Sequence, residues 1–370
     1  MSSAGATLQG SYSGETGTIS EVGFYYGTTS GSLASKAVAT GTSSPFSKAI
    51  TGLSAGTTYY YKAYVLEYSE AAGDYVYRYG DESSFTTSAA TPVKLGWLEL
   101  PSYTTGAMSG TTTSSLGDLY KVTHYATMNA KTVRNYTLLY DPEMYASYWV
   151  AYPLCYEHKN GSGRSNQWAY DPDVPTSKQT NCTAGAYGVY LDTENYTNNY
   201  YSRGHQIANA DRNGVDDMCD QTYYMTNITP QLQNGFNGGV WSNLESAVQN
   251  LTSSCDTVYV VTGAAFRKKT DGTESITTIV NTRDSKTLPV PNYYWKALLK
   301  VTWSGDTVTA ASAIGFWLPH QDLKDANYAD YAVSVDQIET WTGFDLFANL
   351  PSSLQTTAEA NTSLSTFSSF

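Results

Sequence analysis

Residues 201–250 read YSRGHQIANADRNGVDDMCDQTYYMTNITPQLQNGFNGGVWSNLESAVQN, and the fold is decided in this stretch. Its first forty residues have low helix propensity. At its end Val240, Trp241, Leu244, Val248 and Leu251 recur at helical spacing, which predicts a helix over 239–251 with one buried stripe. Fifty residues gather Arg203, His205, Asn227, Asn237 and Glu245. The only histidines are His124, His158, His205 and His320, so a base working at neutral pH has few candidates. Gly204 gives the backbone freedom beside the His205 ring. Asn237 lies just ahead of the predicted helix and Glu245 two turns along it, so both side chains can face one site.

Each residue alone has a plain structural reading. A histidine is often a packing group, Asn237-Gly238-Gly239 a turn, and a helical glutamate a solvated face. The ordered set of a base, two amides and a helical carboxylate suits an ion better than a surface. As chemistry, the stretch reads as a hydrolytic site for a phosphodiester.

Three motifs carry a resemblance. Ser202-Arg203-Gly204-His205, Asn227-Ile228-Thr229-Pro230-Gln231 and the 237–245 segment NGGVWSNLE stand in the order typical of the DNA/RNA non-specific endonucleases of the ββα-metal superfamily, the group that includes endonuclease G. The resemblance spans about residues 95–350, with 149–152 upstream, the 258–263 strand downstream and a closing helix at 334–343. It implies an α+β nuclease domain with a central antiparallel sheet. It further implies that His205 is the general base, that Asn237 is the sole direct protein ligand of one Mg2+ (Mn2+ as the alternative), and that Glu245 holds the ion through water. Arg203, with Arg164 in the 160–166 loop, would grip phosphate oxygens, and Asn227 would orient His205 or the waters of the metal. DNA and RNA would both be substrates, because contacts to the backbone carry no sequence information. An ordinary imidazole pKa of about 6.5 predicts activity falling below that pH.

Two positions depart from the family pattern. Ser202 stands where most members carry Asp, implying an altered surround to an intact site, and Gln249 stands where an Arg is frequent. These departures support a rival reading, a surface binding protein with a degenerate nuclease domain. Another rival is a phosphodiesterase of different substrate range.

The rest of the chain sets the context. At 370 residues two domains are expected. Aromatics at 14% with 33 tyrosines, against only 15% charged residues, read as strand-rich and extracellular. The formal net charge of −12 is not the footprint of a tight nucleic-acid binder, although a divalent ion and a local arginine cluster hold a phosphate without a basic surface. No apolar run is long enough to span a membrane, and Met1-Ser2-Ser3-Ala4 lacks the marks of a signal peptide. Cys155, Cys182, Cys219 and Cys255 lack zinc spacing, and the pairs Cys155–Cys182 and Cys219–Cys255 are favoured over four free thiols. A sequon at Asn227 inside the proposed site would block the chemistry if glycosylated. Together these point to a secreted or cell-surface protein of a bacterium, its export signal absent from this sequence.

Residues 1–90 read as an all-β module. Within it, 53–64 (LSAGTTYYYKAY) resembles the segment of fibronectin type III domains in which a tyrosine corner ties a strand to the preceding loop. A spacer role is favoured, since no binding motif is visible. Residues 88–92 read as a linker, 91–352 as the nuclease domain, and 353–370, rich in Ser and Thr, as a loose tail. Strands are expected at 137–140, 148–152, 256–263, 297–303 and 307–318. His320 is read as structural, and Asp211, Asp216, Asp217 and Asp220 as a solvated acidic loop.

Overall fold

The computed structural model describes residues 5–14, 17–54, 56–87, 97–103, 119–188, 200–268 and 270–370. The chain divides into two compact units, Met1–Lys94 and Leu95–Phe370. The expected 88–92 linker and the first four residues lie outside the described residues.

The N-terminal unit contains strands β1 (Gly5–Gly10), β2 (Thr18–Gly27), β3 (Ser35–Val38), β4 (Phe46–Thr51), β5 (Thr58–Ser69), β6 (Asp74–Tyr79) and β7 (Ser83–Thr86). One sheet pairs β1 with β4. The other runs β3-β2-β5-β6, with β7 also on β5. Alternate residues of β2 and β5, among them Val22, Phe24 and Val65, pack against Leu8, Phe46 and Ile50 of the smaller sheet, as the two-residue side-chain period of a strand requires. The Tyr59 hydroxyl accepts the Ser54 N–H at 3.0 Å, which ties β5 to the loop before it.

The second unit opens with β8 (Ser102–Tyr103) and is built on β9 (Tyr120–Met128), β10 (Lys131–Asp141), β11 (Ala146–Leu154), β12 (Tyr201–His205), β13 (Ile228–Leu232), β14 (Val258–Ala265), β15 (Thr278–Val280), β16 (Thr287–Pro289), β17 (Tyr293–Ser304), β18 (Thr307–Pro319), β19 (Ala332–Val333) and β20 (Phe344–Asp345). Its main sheet has the order β19-β18-β17-β14-β11-β10-β9, antiparallel throughout. Four of the five strands expected from sequence lie inside β10, β11, β17 and β18, and the fifth begins two residues ahead of β14. Both faces of this sheet are covered, which is why its central strands are apolar on both sides. Ile314, Phe316 and Leu318 of β18 join one buried cluster, and Ala313 and Trp317 the other.

The helices are α1 (Tyr156–Lys159), α2 (Asp216–Gln221), α3 (Ser242–Leu251), α4 (Val335–Thr342), α5 (Ser352–Glu359) and α6 (Leu364–Ser369). Over one face of the sheet lie the hairpin β12–β13 and α3 with the turn before it; Val240 and Trp241 of the turn and Leu244 and Val248 of α3 are fully buried. Burying those four side chains is worth roughly 1.5–3 kcal/mol each and fixes the depth of α3 against the sheet. The other face carries α4 and α5. Helix α4 starts where expected: Ser334 Oγ accepts the Gln337 N–H at 3.1 Å, and Gly343 at φ 80° ends it.

Three expectations are corrected. Regular α3 begins at Ser242 and not at 239, because Gly239 sits at φ −136°, ψ −115°, outside the helical region. All four cysteines are free: Cys182 is buried and accepts a bond from the Tyr187 hydroxyl, while the Cys255 thiol donates to the Leu251 carbonyl at the end of α3. The argument for export from an oxidising disulfide framework therefore falls. The segment after 352 is not a loose tail. It forms α5 and α6, and buries Ala358 and Phe367.

Candidate active site

Arg164, Arg203, His205, Asn237 and Glu245 line one cleft of about 630 Å³, together with Trp168, Ser202, Gln233 and Ser242. Five of the six residues singled out from sequence thus meet. The two strands of the hairpin pair His205 with Ile228, while the wound turn 233–241 and α3 set Asn237 and Glu245 across from them.

The His205 ring is wedged between Trp168 and Tyr223, with centroid separations of 5.4 and 5.0 Å. Its Nε2 is shielded from solvent and has no hydrogen-bond partner. Burial pushes the pKa down to about 3, the positive charge of Arg164 and Arg203 adding to it, against a hydrogen bond to the Arg203 backbone. With that bond at the only other ring nitrogen, Nδ1 carries the proton and the Nε2 lone pair is free. Burial thus favours the neutral imidazole, against the ordinary value of about 6.5.

The Asn237 carboxamide donates through Nδ2 to Ser202 Oγ at 2.8 Å and to Gln233 Oε1 at 3.0 Å. Both N–H groups are spent, so the carbonyl oxygen is turned out with no donor on it among the described residues. Ser202 Oγ in turn donates to the Gln231 carbonyl at 3.0 Å. The serine therefore does an acceptor's work at the position where an aspartate was anticipated.

Glu245 is raised above the usual carboxylate range by burial, with Asp211 acting in the same direction and Lys296 opposing. Lys296 is itself lowered by burial. It donates to Thr262 Oγ1 at 3.0 Å and sits 4.4 Å from the Trp241 ring. Asp211 is held by the Tyr152 hydroxyl at 2.6 Å and Gln249 Nε2 at 2.8 Å. Gln249 thus fastens a buried carboxylate, where an arginine would have brought charge.

The guanidinium of Arg203 stacks on Trp168, its central carbon 3.8 Å from the ring centroid. That contact holds a planar cation at the mouth with its edge free for an oxyanion. Arg164 is exposed on the 160–166 loop.

Residues 117–353 match the family model for DNA/RNA non-specific endonuclease. The chain belongs to that family. Among relatives of the family, it is 29% identical over 236 residues to a nuclease of Serratia marcescens, covering 61% of this chain and 78% of the relative. It is 26% identical to human mitochondrial endonuclease G over 235 residues, covering 63% and 74%. Nuclease 1, mitochondrial, of Schizosaccharomyces pombe is 25% identical over 223 residues, covering 58% of this chain and 65% of the relative. A solved structure of the EndoG/EndoGI complex aligns with a TM-score of 0.48 and 22% identity, covering 63% of this chain and 89% of that one.

Endonucleases of this family are metal-dependent, and the donor set fits a hard divalent ion. Asn237 offers an unengaged carbonyl oxygen, Glu245 a carboxylate, and the cleft is polar. Asn227, by contrast, is not in the cleft. It is fully buried, accepts the Ile207 N–H, and donates to the Ile207 and Thr222 carbonyls. Its assigned part in orienting His205 directly is corrected: it braces the loop that follows the histidine. His320 is structural as expected, donating to the Pro291 carbonyl and accepting the Leu232 N–H. The acidic loop reading fails for Asp211, which is buried. Asp211, Trp168 and Lys296 were not singled out from sequence. Their signal lies in pairings across the sheet, which no local pattern carries.

Proposed function

We propose that this protein is a metal-dependent endonuclease that hydrolyses phosphodiester bonds of DNA and RNA without sequence preference. The observation that carries the proposal is the convergence of His205, Asn237, Glu245, Arg203 and Arg164 on one cleft in a member of the non-specific endonuclease family. Asn237, with Glu245 through water, would hold Mg2+ or Mn2+, which when bound stabilises charge building on the phosphoryl and leaving oxygens. Nε2 of His205, unpaired but shielded in this structure, would accept the proton of an attacking water that enters beside it with the substrate. Its low basicity limits how long it keeps that proton, which favours release to solvent after each turnover. Arg203, braced by Trp168, and Arg164 take phosphate oxygens by charge-assisted bonds. Two arginines at the mouth answer the objection from a net charge of −12, because phosphate meets the local field of the cleft.

The degenerate-domain reading loses its main support, since Ser202 orients Asn237. The N-terminal unit, a two-sheet sandwich with a Tyr59 tie, we read as a fibronectin type III-like spacer. Export from a bacterial cell is supported by composition alone. The direct test is nicking of supercoiled plasmid, and cleavage of RNA, with Mg2+ and with chelator. His205→Ala should lose about 10²–10⁴ in rate with an unchanged circular dichroism spectrum. Full activity in that variant would remove the base assignment.

A further inference from the structure

On the sheet face opposite the cleft, three carboxylates converge. Asp336 and Glu339 are three residues apart on α4 and so share a helix face, and Glu359 ends α5. One oxygen from each lies within 4.8 Å of the others. We propose that Asp336, Glu339 and Glu359 form a calcium site that clamps α5 onto α4, separate from the catalytic ion and absent from the nuclease motifs.

The second observation is Glu359 itself. It is 4% exposed, and its Oε1 is buried with no hydrogen-bond partner. A buried carboxylate oxygen left unpaired costs free energy that an electropositive partner recovers. No Lys or Arg nitrogen lies within 4.0 Å of these three carboxylates among the described residues. Glu339 accepts one N–H, from Leu346 at 2.6 Å, which leaves its remaining lone pairs for another partner. Burial pushes the Glu359 carboxyl up to about 9 and that of Glu339 up to about 7, each raising the other's or its acidic neighbours' cost. A divalent cation relieves both.

The donor set selects the ion. Three carboxylates without a nitrogen or sulfur donor favour a hard cation over zinc. Magnesium dehydrates reluctantly and is usually held by one or two carboxylates plus water, whereas calcium takes six to eight oxygen ligands in flexible geometry, so three converging carboxylates favour calcium. Asp336 is exposed, so the ion would enter from solvent and complete its shell with water. Glu359 lies beyond the 117–353 segment that carries the family match, so the clamp would fasten a C-terminal addition to the nuclease fold.

The experiment is thermal unfolding and calorimetric titration of the full chain at pH 8, in chelator, with Ca2+ and with Mg2+. Wild type, Asn237→Ala and Glu359→Gln are compared. At Ca2+ about tenfold above a Kd near 1 mM, a range typical of weak structural modules, binding to the folded state should raise Tm by about 2 °C. Asn237→Ala, which lacks the cleft ligand, should keep that shift and one Ca2+ site. Glu359→Gln should lose both while unfolding cooperatively, and in chelator it should be at least as stable as wild type, because the carboxyl it replaces is buried with Oε1 unpartnered. An equal Ca2+ shift in Glu359→Gln, a shift lost in Asn237→Ala, no shift in wild type, or a larger shift with Mg2+ would each overturn the calcium clamp. None of these outcomes bears on nuclease activity.

Discussion

Ser202→Ala isolates one of the two contacts that orient the proposed ion ligand. Asn237 is oriented by two N–H bonds, to Ser202 Oγ and to Gln233 Oε1, and the substitution removes the first while leaving the second. A neutral hydrogen bond of this kind is worth about 0.5–1.5 kcal/mol net, which corresponds to a factor of roughly 2–12 in an equilibrium constant at 1.4 kcal/mol per decade. Groups that orient a metal ligand typically change affinity by about 10–100-fold when removed. With one of two bonds surviving, the lower end applies. The Mg2+ concentration giving half-maximal plasmid nicking should therefore rise about tenfold in Ser202→Ala, with the rate at saturating Mg2+ falling no more than about threefold. Ser202→Asp, whose carboxylate accepts the same N–H more strongly, should shift the Mg2+ dependence the opposite way. Identical Mg2+ curves for Ser202→Ala and wild type would refute the claim that this serine positions the ligand.

Other outcomes follow from burial and charge. The His205 pKa near 3 lies below its unfolded value, so protonation silences the base only at strongly acid pH. At saturating Mg2+, the rate should show no limb near pH 6.5 attributable to His205, and Arg164→Ala, which removes a repelling charge, should move its limb upward. A wild-type limb at pH 6.5 that disappears with the imidazole would contradict this. His158, 8% exposed, is likewise pushed down to about 3, by burial first and then by Arg212. The unfolded chain therefore binds its proton first as pH falls below about 6.5, and stability present above that pH is lost. At pH 5 the loss is about 2 kcal/mol at 1.36 kcal/mol per unit. Urea unfolding at pH 7 and 5 should show a shallower drop in His158→Gln, and an equal drop would refute the assignment. Asn227→Ala leaves three backbone partners unsatisfied, at about 1–3 kcal/mol each, so it should destabilise by about 3 kcal/mol or more. Near-full specific activity should remain at low temperature, and loss of activity without loss of stability would restore a direct catalytic part.

Much of this was legible because the nuclease motifs are local. The His205 strand, the Asn237 turn and the Glu245 helix lie within fifty residues, and their apolar stripe reports which side is buried. Helix α4 was legible for the same reason, having a serine cap at its start and a left-handed glycine at its end. The floor of the cleft was not. Lys296 acts on Glu245 by charge only because strand order in the main sheet brings it near, and Asp211 reaches Gln249 across 38 positions. Asn227 was correctly singled out and wrongly employed, since sequence places it near the site but does not say which way its amide faces. The cysteines misled because even number and moderate spacing say nothing of side-chain direction. In α5 and α6 the apolar signal is only Leu354, Ala358, Leu364 and Phe367, too sparse to outweigh the surrounding Ser and Thr.

The most direct test of the account is anomalous diffraction from crystals of the His205→Ala protein soaked with Mn2+ and a short oligonucleotide. The account predicts an ion within about 2.0–2.2 Å of Asn237 Oδ1, a range set by Mg2+-like coordination, with a phosphate on the Arg203 side and the space left by the imidazole facing the phosphorus. An ion bound elsewhere in the cleft with Asn237 unligated, or nucleic acid bound away from it, would contradict the account.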